Sequence, residues 1–526
     1  MSNGPQGKAM PLVAIIGGML VALYVATSIL MDEGNQLAGL FFYMLIGSGV
    51  IGVLAPRLAF FLFILQSAYL DLFKRSMVIA GDVQFTDLFW VLGIAPVTVA
   101  GISAGLVMRM VFGKIQMDGS DVRRLAVAVL LKVCLAALTY VKGGGLGGTM
   151  REVANGSSYT LLLFIVPLLF STPDAVARCT RFIIYTYVPV AIYGVYQQMF
   201  GFQDFEIDYL KTGLSIEVKL LESDRVRAFS TLNSATSLSV VAASLAALTI
   251  TISMIGKRTL RPLIPMPVAI GLVVLFIAAW MASTVRVGIM LLPVAIIGTY
   301  LFRKPSTTRA FYATVTASFI ALVASAGYIY SNIEIWTRQI LELTKSDAFA
   351  GYMLNMNSYK DRLHGFMNVL ANPQAYTLFG MGDAAAQDST YTSHDPLSAS
   401  LLAYGIVPVA LGLILAGLAL WRFHRVIFTM RDPTLQLFAA AFLANAAGNI
   451  AVSMVNGSLL GTFPVNLFLW VSLAFAASLR RTDAQLAERR AQQSPSGNAS
   501  PLHRDPMPAR RIPAPRFAPV ARTQPR

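Results

Sequence analysis

The chain has 526 residues, 56% of them hydrophobic and only 13% charged, whereas soluble domains run at about 45–50% apolar and about 25% charged. So few charges cannot cover the surface of a water-soluble protein of this length, which excludes a soluble globular enzyme. The formal charge of +15 raises nucleic-acid binding as a question, and the distribution of the charges along the chain answers it.

A bilayer core about 30 Å thick is crossed by about 20 mostly apolar helical residues. Runs of that kind predict an all-α, polytopic membrane protein with about 14 transmembrane helices, 12–14 at the limits. In chain order the spans lie at roughly 10–31, 37–55, 57–73, 87–110, 124–141, 158–173, 180–200, 236–256, 262–282, 285–302, 309–330, 396–420, 434–454 and 458–478. The first is too long for a signal-peptide core and lacks a small-residue cleavage pattern, so it is expected to be retained. Cys134 lies in one span and Cys179 at the edge of another, which gives no disulfide framework. His364, His394, His424 and His503 include no pair at metal-ligand spacing, so no metal site is expected.

An even number of spans puts both termini on one side. With the termini in the cytoplasm, Lys8, Arg57, Arg109, Arg178, Lys257, Arg303 and Arg422 each mark an inner connection. About 27 of the 41 Lys and Arg residues then lie inside, the positive-inside signature of a polytopic membrane protein. The acids divide the other way, leaving the cytoplasmic face at about +20 and the outer face at about −6. Most of the net charge therefore serves topology and anionic lipid headgroups. No basic patch interleaved with aromatics points to nucleic acid.

Lys132 sits within a span, where a cation is costly and by default paired or functional. The Gly143–Gly148 run reads as a flexible outer loop. Residues 481–526, rich in Pro, Arg, Ser and Gln, follow the membrane domain (1–480) as a disordered basic cytoplasmic tail.

Two outer segments, about 201–235 and about 331–395, are too long to be mere connectors. In the second, Ile333, Trp336, Ile340 and Leu343 recur at helical spacing, as do Tyr359, Leu363, Phe366 and Leu370. Each stripe suits a helix lying on the outer leaflet. Arg362 flanks the second stripe, whereas His364 points nearly opposite.

Three short patterns fall on this outer side. Arg227-Ala-Phe-Ser-Thr-Leu-Asn-Ser-Ala235 precedes the eighth span, and Ala282-Ser-Thr-Val-Arg286-Val-Gly288 turns between the ninth and tenth. The third runs from Arg362 through Phe379-Gly-Met-Gly382 to Ser393-His394-Asp395 and Leu402-Ala-Tyr-Gly405. In order, spacing and membrane side this resembles the O-antigen ligase and polysaccharide polymerase superfamily, in motif over roughly 225–405 and in layout over the whole membrane portion. The chain departs from that family at Ser230, where glycine is common, at Ala235 (proline), at Val285 (serine) and at Asp395 (asparagine).

The resemblance implies transfer of glycan from an undecaprenyl-diphosphate carrier to an acceptor hydroxyl at the outer face of the bacterial inner membrane, without a metal or cofactor. A lipid diphosphate is an anion that needs fixed cations at headgroup depth, and the guanidinium fork suits phosphate oxygens better than an ammonium does. Arg286 and Arg227 fit that role, with Arg362 supporting and Arg225 a neighbouring competitor; Lys132 is a further candidate for substrate contact. His394, with a reference pKa of about 6.5, suits the base that activates the acceptor hydroxyl, and Asp395 could orient it. Polymerisation of exopolysaccharide or O-antigen repeat units is the favoured activity, and ligation of finished glycan to lipid A core the nearest alternative. A flippase or transporter of lipid-linked glycans is the alternative of another class; such proteins show repeated halves, and no repeat is evident here. The partners implied are the undecaprenyl-diphosphate-linked oligosaccharide, the growing glycan acceptor and membrane lipids, together with a chain-length regulator and export machinery.

Overall fold

The computed structural model describes residues 36–80, 88–115, 119–141, 145–154, 156–212, 227–254, 263–285, 288–303, 377–380, 396–455 and 462–493. All regular structure among them is helical, with no strand. The chain divides into two compact units, Met1–Asp483 and Ala484–Arg526. In the first, helices α1 (Gln36–Leu54), α2 (Pro56–Ala80), α3 (Leu88–Val111), α4 (Gly119–Thr139) and α5 (Gly145–Ala154) lead through a 3₁₀ segment, Gly156–Leu161, to α6 (Leu162–Leu169). There follow α7 (Pro173–Thr186), α8 (Val188–Phe200), α9 (Asp204–Lys211), α10 (Ala235–Thr249, extended by a π turn at Ile250–Met254), α11 (Met266–Ala282) and α12 (Gly288–Arg303). The last four are α13 (Pro396–Tyr404), α14 (Ile406–Phe428), α15 (Pro433–Val455) and α16 (Val465–Gln493). Of the second unit, residues 484–493 are described and are helical.

Six stretches among the described residues are long and apolar enough to cross a membrane: Pro56–Ile79, Trp90–Val111, Pro173–Phe200, Ala235–Met254, Ile406–Phe428 and Pro433–Ser453. Four shorter apolar helices accompany them. The predicted spans 10–31 and 309–330 lie outside the described residues, as do both helices predicted between 331 and 370.

Where the helices differ from the sequence expectation, local chemistry gives the reason. The span expected at 180–200 begins at Pro173, with Thr172 as its N-cap accepting from the Ala175 N–H at 3.2 Å. It breaks at Tyr187, just ahead of Val188-Pro189, because proline brings no N–H to the ladder. The span expected from 396 breaks at Gly405, whose φ of 84° and ψ of 178° are open essentially to glycine alone. Of the glycine run expected as a flexible loop, residues 145–148 instead open helix α5, where Thr149 Oγ1 donates back to the Gly145 carbonyl at 2.8 Å. The tail expected from 481 onward starts as helix, because Ala484–Gln493 is built from strong helix formers.

Packing uses small residues and buried polar pairs. Gly49, Gly52, Gly101 and Gly105 bring α1 and α3 together backbone to backbone; a Cβ on Gly105 would lie 2.5 Å from the Val53 carbonyl oxygen, and one on Gly101 would overlap that of Gly49. Asn445 and Asn449 of α15 donate to Ser472 of α16 at 3.1 Å and Ser244 of α10 at 3.3 Å, all of them buried. By contrast α14 exposes Leu411, Ile414, Leu415 and Leu418, each more than half open, a surface suited to hydrocarbon.

Helix α2 fixes the vertical frame. Near its start Arg57 donates to the Leu169 carbonyl at 3.1 and 3.2 Å. Toward its end Arg75 enters a buried network with residues 197–232. At 1.5 Å per residue these two arginines stand about 27 Å apart along the axis, close to the thickness of a bilayer core.

Candidate functional site

The site is best built outward from the segment Arg227–Ala235. It has no regular structure until Ser234, whose hydroxyl accepts from the Ser237 N–H at 3.1 Å and caps α10. The backbone groups before that cap find partners on other helices. Gln197 of α8 accepts through its side-chain oxygen from the N–H groups of Phe229 at 3.1 Å and Ser230 at 2.6 Å. Arg75 of α2 donates to the Ser230 carbonyl at 2.7 Å and, from its other terminal nitrogen, to the Leu232 carbonyl. Ser230 Oγ reaches the Val190 carbonyl and Thr231 Oγ1 the Ala68 carbonyl, each at 2.5 Å. Ser230 has a φ of 56°, the left-handed conformation that costs a non-glycine residue about 1–2 kcal/mol; those fixed bonds hold it there.

The guanidinium and its counterion are both buried. Arg75 lies 3.2 Å from Glu206 of α9, with side chains 2% and 0% exposed, and its guanidinium carbon sits 4.3 Å from the centre of the Phe229 ring. Gln197 Nε2 donates to the same Glu206 oxygen at 2.7 Å, and the Gln203 N–H to the other at 3.3 Å. Burial pushes the Glu206 carboxyl above the ordinary carboxylate range, opposed first by Arg75 and then by the bonds from Gln203, Tyr193 and Gln197. One glutamine and one ion pair thus hold the backbone at three positions, 229, 230 and 232.

The second pattern joins the first through α10. The Ala228 N–H donates to the Ala282 carbonyl at 3.3 Å. Ser239, one turn into α10 and fully buried, donates to the Val285 carbonyl at 2.9 Å and accepts from the Gly288 N–H at 3.2 Å. Trp280 Nε1 donates to the same Val285 carbonyl at 3.1 Å. Thr284 has a φ of 54°, the second non-glycine residue in the left-handed region among those described. A Cβ on Gly288 would lie 2.6 Å from Trp280 and 2.7 Å from the Ser239 hydroxyl, so only glycine fits. Phe202 and Val285 pack on the buried cluster Leu210, Phe229 and Ala235. Ser239→Ala leaves the Gly288 N–H buried without its acceptor; the expected cost is about 1–3 kcal/mol, read as a lower thermal midpoint in detergent. An unchanged midpoint would remove Ser239 from this frame.

The third pattern folds back on itself. The carbonyls of Thr377 and Leu378 accept from the N–H groups of Ile406 at 3.2 Å and Val407 at 3.1 Å, supplying partners to the first turn of α14. Gly380 and Gly405, both at positive φ, meet at this crossing.

Of the expected site residues, Arg227 is exposed at the edge of the segment held by Arg75 and Gln197. Arg286, Arg225, Arg362, His394 and Asp395 lie outside the described residues, although the neighbours of Arg286 at 285 and 288 are tied to one hydroxyl. The Lys132 ammonium donates to Ser158 Oγ of the 3₁₀ segment at 3.2 Å. Arg75, Gln197, Glu206 and Ser239 were not legible as site residues. The available signal was an arginine just past the end of the third predicted span, on a face otherwise short of cations. No family model matches the chain, and neither a curated protein nor a solved structure does.

Proposed function

We propose that the protein is a membrane glycosyltransferase that polymerises undecaprenyl-diphosphate-linked polysaccharide repeat units at the periplasmic face of a bacterial inner membrane. The full chain then crosses the bilayer about 14 times with both termini cytoplasmic, and the end of α2 that carries Arg75 faces outward. The observation that supports this reading best is the junction of the Arg227 and Arg286 patterns on α10. Two sequence segments about fifty residues apart share a buried hydrogen-bonded frame, as a site for one anionic substrate requires.

In this reaction Arg286 and Arg227, assisted by Arg362, hold the diphosphate of the donor. The acceptor hydroxyl attacks the anomeric carbon with inversion, His394 takes its proton, and the lipid diphosphate departs with the electrons of the broken C–O bond. Charge stabilisation at a site of this kind is worth about 2.7–4 kcal/mol per group, or about 10²–10³ in rate. Arg286→Ala and His394→Ala are each expected to abolish long-chain polymer at normal protein level, scored by electrophoresis of extracted polysaccharide. Wild-type polymer from both variants would overturn the assignment. Deleting the gene separates the activities: a lost polymerase leaves single repeats on the outer leaflet, a lost ligase leaves long lipid-linked chains, and a lost flippase leaves repeats facing the cytoplasm.

A further inference from the structure

We propose that Arg75 is a positioning residue for the diphosphate site, acting through the backbone of residues 229–232 to aim Arg227; the inference rests on the function proposed above. The grip is one-sided in a way that an ion pair serving stability alone would not need. Arg75 spends one terminal nitrogen on both Glu206 and the Ser230 carbonyl, and the other on the Leu232 carbonyl. Its face lies over the ring of Phe229, within the same segment. Glu206 meanwhile orients Gln197, whose side-chain oxygen takes the two N–H groups of Phe229 and Ser230. N–H groups and carbonyls of one short segment are therefore held from α2 and from α8 by two linked side chains. Such a segment cannot slide relative to either helix, and its upstream neighbour Ala228 is also tied to the Ala282 carbonyl of the second pattern. Arg227 begins where this fixed backbone begins, and its side chain is open to solvent. An anion bound by Arg227 then meets a guanidinium whose backbone does not have to be ordered on binding, and avoiding that ordering cost is what raises affinity.

Only a planar fork fulfils this geometry. A lysine at 75 keeps the charge opposite Glu206, but its single ammonium cannot reach two carbonyls and the carboxylate at once. Removing both charges together tests positioning apart from folding, because exchanging a buried ion pair for neutral groups is often neutral for stability. In Arg75→Met with Glu206→Gln, the amide oxygen at 206 still accepts from Gln197 while the grip on Ser230 and Leu232 is gone.

The test uses the full-length protein purified in detergent, with farnesyl diphosphate as the probe and the thermal midpoint recorded for every variant. Arg227→Ala is expected to weaken probe binding at least about tenfold. Arg75→Lys and the double neutral variant are expected to weaken it by a similar factor at a midpoint within a few degrees of wild type. If Arg227→Ala binds the probe as wild type does, the diphosphate site itself is wrong. If Arg227→Ala loses binding while both Arg75 variants keep it, the site stands and the positioning role fails. If the double variant melts early, Arg75→Lys at a normal midpoint decides: wild-type binding overturns the proposal and weakened binding upholds it. Should both melt early, Arg75 is a folding residue and the proposal fails.

Discussion

Arg75→Ala, made alone, is expected to destabilise the protein by about 3–5 kcal/mol, because it leaves the Glu206 carboxylate buried without its counterion. The Ser230 and Leu232 carbonyls lose their donor in the same step, so the loss falls on the segment that starts α10 as well as on the ion pair. Thermal unfolding in detergent, followed by retention of the monodisperse peak in size exclusion, measures it. The loss should depend on pH with a defined sign. A carboxyl whose folded pKa lies above its unfolded value stabilises the folded state fully below the unfolded pKa and loses that contribution as pH rises through the folded pKa. Glu206 is already raised by burial, and removal of Arg75 raises it further. The variant is therefore expected to recover toward wild type as the pH falls from about 8 to about 5. A destabilisation that stays constant or grows over that range would show that Glu206 is not the group responsible.

Gly405→Ala is expected to cost at least about 3 kcal/mol, from a backbone conformation closed to side chains together with direct overlap. Its φ and ψ of 84° and 178° are those of glycine, and an added Cβ would lie 2.5 Å from the carbonyl oxygens of Leu378 and Thr377. Those same carbonyls accept the first N–H groups of α14, so the substituent cannot be relieved without unmaking the helix start. Gly412, seven residues on in the same helix, has nothing within 4 Å of an added Cβ. Gly412→Ala should be neutral or stabilising by up to about 1 kcal/mol. Equal midpoints for the two variants would remove the crossing of 377–380 with 405 from the account of this fold.

Much of the helical layout was legible in the sequence because hydrocarbon selects long apolar runs, and α1, α3, α10 and α15 fall within a residue or two of where those runs lie. What was illegible has physical causes. A run such as 180–200 or 396–420 remains apolar through its break, since Val188-Pro189 and Gly405 interrupt the backbone without interrupting hydrophobicity. Arg75 falls just beyond the predicted span 57–73, where a cation normally marks the membrane surface; α2 instead continues to Ala80 and buries it. Ser239 sits in a run of small apolar residues where a serine passes without notice, and only the approach of residues 285 and 288 gives it a role. Arg227 was the reverse case. Its motif marked it, and the structure supplies the frame that holds its neighbours. Lys132, a costly cation within a predicted span, donates to Ser158 and is tied to the 3₁₀ segment.

The short linker after α6 carries a consequence for synthesis. Arg57 takes the Leu169 carbonyl early, but those of Phe170 and Ser171 accept from Ser478 at 2.9 Å and Thr482 at 3.1 Å. Asp483 beside them accepts from the N–H groups of Arg431 and Asp432 ahead of α15. These donors leave the ribosome about 300 residues after their acceptors, which at about 5–20 residues per second is a delay of about 15–60 s. Through that interval the carbonyls of the linker must be served by water or headgroups. Insertion of the early helices and closure of the end that carries this linker are thus separate events, the second awaiting nearly the last helical turn of the membrane unit.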